Sequence, residues 1–337
     1  MFLPLFAVGV WWFEDKSLTL QPFLRIASMK SFDNHIIMAP LNEELPPRQR
    51  TEAAIRLSEL VMQIVTHVIC HIIVDFQEQL KDERLSVAHA FLQRATSTHL
   101  CNHKLTTEGI VMEYQGQSFA LHEEYKTMTL TRSVYEHLAM FYYLYEQPRN
   151  AEERDIIWKY WQINSKKNLL DYDAGGDTHI VEEQKEALWE IEKLRTEILS
   201  SAIGTQCHRK LDEWTKVGNA ASGGSIRFSL KKGKYDVRRV SYSQAWKYLF
   251  KNEEMNLFYR HLSMHSHPVY QGLMQYQSQS LTDDGHDGLP LFFSSSFLAR
   301  LCRLFLKQIP DGEAIVRNRF SHQEREVFYA LTTSLRS

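Results

Sequence analysis

The sequence predicts an all-α protein, built as a multi-helix bundle with a second, smaller helical part. Apolar residues recur at spacings of mostly three and four over long stretches, which is the period of an α-helix. Only 14 glycines and 9 prolines interrupt the 337 residues, so long helices are favoured. Hydrophobic residues make up 44% of the chain and charged residues 24%, as in ordinary globular proteins. These observations indicate a globular protein with a sizeable core.

Helical periodicity locates eight elements along the chain. The apolar positions of the first are Ile55, Leu57, Leu60, Val61, Ile64, Val68, Ile72 and Phe76. The fifth has one apolar stripe opposite a Glu- and Lys-rich side, formed by Val181, Leu188, Ile191, Leu194 and Ile198. Pro148 interrupts the pattern and predicts a short turn between the third and fourth helices. The predicted helices cover approximately residues 47–80, 85–100, 120–145, 152–170, 178–201, 243–264, 291–307 and 321–334.

Breaks in the helical pattern divide the chain into four segments. The stretch that begins at Val217 contains three glycines and other small residues, which do not form a packed element, and a basic stretch follows it. The predicted segments are an N-terminal segment at 1–44, a helical bundle at 45–216, a loop and basic segment at 217–241, and a C-terminal helical part at 242–337. We expect the C-terminal part to pack on the bundle.

The apolar run from Phe2 to Phe13 does not predict a membrane segment. It is too short to span a bilayer and lacks the basic start of a secretory signal. The apolar stretch from Leu60 to Val74 is interrupted by polar residues, so we expect no membrane contact. The chain from Met38 onward forms a self-sufficient beginning, so the residues before it need not belong to the native protein.

Charge, cysteine content and motifs exclude several classes of protein. The 39 basic and 41 acidic side chains nearly cancel, so binding to nucleic acid depends on a local patch. The most basic stretch runs from Arg227 to Arg239, where a solvated surface is the alternative interpretation. The four cysteines form no Cys-x-x-Cys pair, which argues against a zinc ribbon and favours a reducing cytoplasm. The sequence contains no nucleotide-binding glycine loop and no serine hydrolase motif.

The first helix carries a polar stripe with the chemistry of a metal site. His67, His71 and Asp75 follow one another at intervals of four, so their side chains lie on one slowly turning face. Imidazoles and carboxylates on helices that face a bundle core can bind a metal ion. The alternative is that the histidines are structural and hydrogen-bond to the backbone or to water.

The third helix carries the first group of candidate catalytic residues. Arg132 and Glu136 are four residues apart and share a face, whereas His137 lies about 140° around the helix from Arg132. Arg132 and Glu136 are therefore expected to form an ion pair. The pair is either structural or, when buried among the aromatic residues of this helix, functional.

A second group of candidates lies near Pro268. They are Tyr259, Arg260, Ser263, His265 and His267. Pro268 disfavours helix at the residue before it, so the helix should end near His265. Histidines at the carbonyl end of a helix are favoured in their protonated form. Such a cluster can bind an anion, hold a metal or act as a general acid or base, and a plain helix cap is the alternative.

Two patterns in these groups resemble known helical families. The Arg-x4-His spacing of Arg132/His137 and Arg260/His265 is similar to the motif of the HEPN superfamily, many members of which are metal-independent ribonucleases in bacterial defence and toxin systems. Residues 105–280 also resemble an uncharacterised bacterial family of all-helical proteins, which has no established activity. That second resemblance rests on Arg132 and Glu136 in an Arg-x-x-x-Glu pattern and on Tyr259, Leu262, Ser263 and His267 in a Tyr-x-x-Leu-Ser-x-x-x-His pattern.

The sequence leaves three functions open. The first is a binding or interaction protein in a bacterial defence or stress system, with RNA or another protein as its partner. The HEPN resemblance implies the second, a metal-independent ribonuclease that acts as a homodimer. In such an enzyme an arginine stabilises charge on the scissile phosphate and a histidine assists the attack of the ribose 2′-hydroxyl. The third is a metal-binding helical enzyme. We expect no organic cofactor.

Overall fold

The computed structural model describes residues 39–42, 44–121, 124–218, 224–241, 244, 249, 259–260, 262–263 and 288–333. Ten α-helices and two β-hairpins lie in this part of the chain, so the predicted helical fold class is confirmed. The helices are α1 (Pro47–Asp75), α2 (Glu83–Glu108), α3 (Glu124–Phe141), α4 (Ala151–Leu170), α5 (Thr178–Ser200), α6 (Ala202–Gln206), α7 (His208–Thr215), α8 (Leu289–Leu306), α9 (Gly312–Arg317) and α10 (His322–Thr333). The strands are β1 (Ile110–Tyr114), β2 (Gln117–Leu121), β3 (Ser225–Lys231) and β4 (Lys234–Val240).

The long helices follow the predicted periodicity, but several of their ends differ. Helix α1 ends at Asp75, five residues before the predicted end. Helix α2 is longer than predicted because Asp82 caps its start, accepting a hydrogen bond from the Leu85 amide at 2.8 Å, and Gly109 closes it with φ of 65°. A π-helical segment, Tyr142–Glu146, continues α3. The helix predicted at 243–264 lies almost wholly outside the described residues.

Helix α8 forms the centre of the core. Its sequence is apolar on nearly all sides, and 15 of its 18 residues are buried. It packs against α1, α2, α3 and α10, so a late part of the chain fills the bundle that the earlier helices build. Among the described helices, α1 and α8 are long and apolar enough to cross a membrane by length and composition alone. However, 83% of the α8 window is buried inside the protein, and so is half of the α1 window.

Two β-hairpins occur where the sequence analysis predicted no strands. In both, the strands are antiparallel and turn through two residues, Gln115-Gly116 and Lys232-Gly233. All four turn residues have positive φ, which is the type I′ conformation that matches the twist of a hairpin and that glycine adopts without a Cβ clash. The loop and basic segment predicted at 217–241 is therefore a hairpin from Ser225 onward.

The β3–β4 hairpin has an inner apolar face and an outer polar face. Ile226, Phe228 and Val237 are buried on the inner face. The amide of Ile226 donates to the hydroxyl of Tyr143 at 2.9 Å, and Lys210 of α7 donates to the carbonyl of Val237 at 3.0 Å. These contacts hold the inner face against the π-helical segment and α7. Because strand side chains alternate, the intervening residues belong to the opposite face, which is buried at its base, at Ser225 and Val240, and is at least partly exposed from Arg227 to the turn.

A chain of polar side chains crosses the core. Ser58 Oγ lies 2.9 Å from His99 Nε2 and 3.0 Å from His103 Nδ1, and His99 Nδ1 lies 2.8 Å from Ser294 Oγ. Ser58, His99 and Ser294 are fully buried, so this chain joins α1, α2 and α8 where water is excluded. Burial, and after it the nearby His103, lower the pKa of His99 to about 3. The imidazole of His99 is therefore neutral and both of its nitrogens are hydrogen-bonded.

Acidification should destabilise the protein through His99. Its pKa is about 3 in the folded state and about 6.5 when unfolded, so between these values only the unfolded chain binds the proton. The contribution of neutral His99 to the free energy of unfolding is complete above about pH 6.5. It falls with decreasing pH by about 1.4 kcal/mol per unit, so about 2 kcal/mol is lost at pH 5. Urea unfolding at a series of pH values measures this loss.

The matched variant for this test is His99→Gln, which keeps an amide donor and acceptor between the two serines and does not titrate. Burial also lowers the pKa of His67 and His89, and these two groups contribute equally in both proteins. We expect the variant to be less stable at neutral pH and to lose less stability on acidification. Identical pH-dependent losses in the two proteins would contradict the assignment to His99.

Candidate functional site

Arg132 and Glu136 form an ion pair on one face of α3. The Nε of Arg132 donates to Oε1 of Glu136 at 2.8 Å, which confirms the pair predicted from their spacing. The two side chains are 21% and 34% exposed. The pair therefore lies at the edge of the core, where water or a ligand can reach it.

Tyr259 joins this pair from a distant part of the chain. Its hydroxyl donates to Oε1 of Glu136 at 3.4 Å, across a sequence separation of 123 residues. The guanidinium carbon of Arg132 lies 5.6 Å from the centroid of the Tyr259 ring, within the range of a cation–π contact. We call these three residues the Arg132 cluster. The structure therefore brings together one residue pair and one tyrosine that belong to separate groups of predicted candidates.

Tyr135 connects the Arg132 cluster to the core. Its ring centroid lies 5.1 Å from that of Tyr259 and 5.2 Å from that of Phe297 in α8. Burial, with a smaller contribution from Tyr259, raises the pKa of Tyr135, and the nearby Arg300 opposes this. Neither Tyr135 nor Arg300 was predicted from the sequence as a site residue. A charged residue in an otherwise apolar helix is the signal that could have found Arg300, which is 7% exposed.

The electrostatics of the Arg132 cluster make Tyr259 a hydrogen-bond donor. Burial raises the pKa of Tyr259 above its usual range, whereas the smaller effects of Arg132 and Glu136 have opposite signs. The phenol therefore stays protonated near neutral pH. The cluster presents guanidinium and phenol donors next to a carboxylate acceptor, a set that suits a phosphate or a hydroxyl group better than an apolar ligand.

His137 does not join the cluster. Its Nδ1 lies 2.7 Å from the carbonyl oxygen of Ser133, so this nitrogen carries a proton and donates it. The ring packs edge-to-face on Phe91 of α2, with the centroids 6.2 Å apart. Arg132 and His137 therefore face different neighbours, as their separation around the helix predicts.

The remaining candidates near Pro268 are only partly described. Ser263 donates to the carbonyl oxygen of Tyr259 at 2.8 Å, one helical turn earlier. Arg260 is exposed. His265 and His267 lie outside the described residues. The structure thus places Tyr259 and Ser263 at the cluster and leaves the two histidines as predictions.

The polar stripe of α1 does not converge on one point. His71 Nδ1 pairs with Asp75 Oδ2 at 2.5 Å, and the His71 ring stacks on that of His67 with centroids 5.9 Å apart. His67 also hydrogen-bonds the backbone of Ile315, and burial lowers its pKa. Over the described ranges, no set of three or more His, Cys, Asp or Glu side chains is arranged to hold a metal ion.

The part of the chain that contains the Arg132 cluster matches a protein family. Residues 121–286 match a family of unknown function, DUF5677. The match covers just under half of the chain and confirms the predicted resemblance to an uncharacterised family. The DUF5677 region contains both halves of the Arg132 cluster and the β3–β4 hairpin, whereas the core helix α8 follows it. No curated protein and no solved structure matches the chain.

The three side chains of the Arg132 cluster should be energetically coupled. Removing the charge in Glu136→Gln leaves Arg132 without its carboxylate, and removing the hydroxyl in Tyr259→Phe leaves Glu136 with one donor fewer. We expect each change to lower the free energy of unfolding by about 0.5–1.5 kcal/mol. The double variant should show a coupling energy of about 0.5–1 kcal/mol, measured by urea unfolding.

Glu182→Gln is the matched control, because Glu182 forms an exposed ion pair with Lys185 on α5. We expect that change to stay within about 0.5 kcal/mol of the parent protein. Strictly additive effects of Glu136→Gln and Tyr259→Phe would show that Glu136 and Tyr259 are not coupled.

Proposed function

We propose that this protein is a binding protein whose partner is RNA, and that the outer face of the β3–β4 hairpin contacts the phosphate backbone. The strand register carries this proposal. It places Arg227 opposite Arg238 and Lys231 opposite Lys234, and all four side chains belong to the outer face. The hairpin therefore presents two pairs of like charges, about 13 Å apart along the strands.

The charge balance of the hairpin supports a polyanionic partner. Between Ser225 and Val240 there are six basic residues and one acidic residue, Asp236. That carboxylate already pairs with Lys210 of α7, at 2.6 Å. Lys231 and Lys234 carry like charges directly opposite one another, which destabilises a hairpin, and a bound polyanion offsets this cost. RNA is favoured over other polyanions because of the resemblance of the Arg-x4-His pairs to ribonucleases.

Neutralising the tip of the hairpin should weaken RNA binding and its dependence on salt. In the triple variant Lys231→Gln, Lys232→Gln, Lys234→Gln, we expect the affinity for a single-stranded RNA to fall by about tenfold or more. Each lost phosphate contact lowers the slope of log affinity against log salt by about 0.7, so the slope should fall by about 2. Fluorescence anisotropy at several KCl concentrations measures both quantities.

A control variant with the same change in net charge separates contact at the hairpin tip from the effect of net charge on RNA binding. Lys81→Gln, Lys185→Gln, Lys193→Gln removes three exposed lysines from other surfaces. We expect it to bind RNA like the parent protein. Equal weakening by the two triple variants, or a parent protein that does not bind RNA, would rule out the hairpin as the contact. Preference for DNA of the same sequence would identify a different nucleic acid.

A second candidate function is metal-independent RNA cleavage at the Arg132 cluster, as in the HEPN superfamily. The observation that favours it is the convergence of Arg132 and the protonated Tyr259 at a partly exposed position. In this proposal Arg132 stabilises charge on the scissile phosphate, and His265 or His267 assists the attack of the 2′-hydroxyl. Sites of that superfamily form between two protomers, so the proposal includes a homodimer.

The cleavage proposal is tested with RNA in the presence of EDTA. We expect the parent protein to cleave, Arg132→Gln to be reduced at least about a hundredfold, and the double variant His265→Ala, His267→Ala to be equally impaired. Lys185→Gln serves as the control. Undiminished cleavage by one of these variants would exclude a catalytic role for the residues that it replaces. No cleavage by the parent protein would leave RNA binding as the function.

We also propose a bacterial defence or stress role and a cytoplasmic location. The resemblance to HEPN proteins supports the role. The four cysteines support the location, because all are free thiols, as a reducing compartment requires.

A further inference from the structure

A second group of cations lies behind the β3–β4 hairpin, on the side that faces α4. Tyr160, Asn164 and Lys167 are spaced by four and three residues, so they share one face of α4. The amide of Asn164 donates to the carbonyl oxygen of Gly224 at 3.1 Å, at the start of the hairpin. The ammonium of Lys167 donates to the carbonyl oxygen of Trp214 at 2.9 Å, at the end of α7.

Arg239 approaches the same two residues, Trp214 and Gly224, from β4. It lies opposite Ile226 and therefore on the inner face of the hairpin. Its guanidinium carbon is 6.0 Å from the centroid of the Trp214 ring. Its Nε and Nη2 are 3.7 Å from the position that a Cβ on Gly224 would occupy. The charge of Arg239 also acts on the pKa of Lys167, so the guanidinium and the ammonium lie within electrostatic reach of each other.

Neither of these cations has a carboxylate at ion-pair distance among the described residues, although Asp171 is near enough to act on Lys167. Lys167 is only 6% exposed, and in the described part of the chain neither it nor Arg239 forms an ion pair. The adjacent Lys166, in contrast, pairs with Glu190. Burial, and after it Arg239, lower the pKa of Lys167 to about 8 while Asp171 opposes them, so the amine still carries a proton at neutral pH. Charges inside proteins are normally paired, and here two of the same sign lie together.

A buried hydroxyl completes the group. Tyr160 is 1% exposed, and its hydroxyl has no hydrogen bond of good geometry. Asn164 and Arg239 lie beside it and act to lower the pKa that burial raises. An unsatisfied donor at this depth costs stability unless an acceptor arrives. The group therefore has ammonium, guanidinium and phenol donors, and the acceptors are fewer than the donors.

We propose that Lys167, Arg239 and Tyr160 bind an oxyanion, the phosphate group of a small molecule or of a nucleotide. A tetrahedral oxyanion supplies several acceptors and at least one negative charge, which is what this group lacks. Arg239 provides planar donors for two of its oxygens, and Lys167 provides a point charge. The site is independent of the RNA proposal, because its residues lie behind the hairpin and the outer-face lysines take no part.

A purely structural role for Lys167 makes a different prediction. The ammonium caps the carbonyl end of α7, where a cation is favourable. If this were its whole role, Lys167→Met would destabilise the protein, and phosphate would have no specific effect on either form. An oxyanion site instead requires that phosphate binds the parent protein and that binding depends on both cations.

Isothermal titration of the full-length protein with inorganic phosphate distinguishes the two roles. The parent protein should give a heat of binding with phosphate. KCl of equal ionic strength should not reproduce it. We expect Lys167→Met and Arg239→Gln each to weaken binding at least about tenfold, since each removes one charge-assisted contact. The control is Lys166→Met, which removes a neighbouring lysine that already has a partner and should leave phosphate binding unchanged.

Two further measurements complete the test. Circular dichroism establishes that each variant is folded, and if Lys167→Met is not, Arg239→Gln alone decides the outcome. Titration with AMP identifies the source of the phosphate group, because tighter binding of AMP than of inorganic phosphate indicates a nucleotide. Absence of phosphate binding by the parent protein, or unchanged binding by the folded site variants, overturns the proposal. The hairpin-tip variant should bind phosphate normally, which separates this result from the RNA result.

Discussion

The fold depends on the burial of one helix. Helix α8 is apolar on nearly every side, so it is stable only where other elements surround it. Helices α1, α2, α3 and α10 provide that surrounding, although they lie at both ends of the sequence. The few polar groups of α8 must then find partners inside the core. Ser294 finds one in His99, and Arg300 lies beside Tyr135 and the Leu249 carbonyl.

Burial of α8 also explains why the Arg132 cluster forms. Tyr135 packs between Phe297 of α8 and Tyr259, so the core helix fixes the tyrosine against which the late segment rests. The Arg132–Glu136 pair then meets Tyr259 at the edge of this aromatic stack. The DUF5677 region supplies both sides of the cluster, and α8, which follows that region, supplies its support. The cluster therefore depends on contacts that extend beyond the matched residues.

The sequence was informative where one physical period dominates. Helices such as α1 and α5 were predictable because apolar residues recur every three to four positions, and the Arg132–Glu136 pair followed from the same geometry. The hairpins were missed because each strand has only five or seven residues and its alternation is weak. Gln115-Gly116 and Lys232-Gly233 were the available signals. Contacts such as Glu136 with Tyr259, or Lys167 with Trp214, depend on tertiary packing that no local pattern encodes.

The two faces of the β3–β4 hairpin place their charges in different dielectric environments. Lysines at its exposed tip interact with a partner through water, where salt screens charges over about 8–10 Å. Lys167 is buried behind the hairpin and Arg239 beside it is partly buried, and burial both weakens hydration and strengthens Coulomb interaction. The RNA proposal and the oxyanion proposal therefore make different predictions about salt. A polyanion on the outer face would be held mainly by long-range, salt-sensitive forces, whereas an oxyanion on the inner side would be held by short hydrogen bonds to partly desolvated cations, which salt screens less.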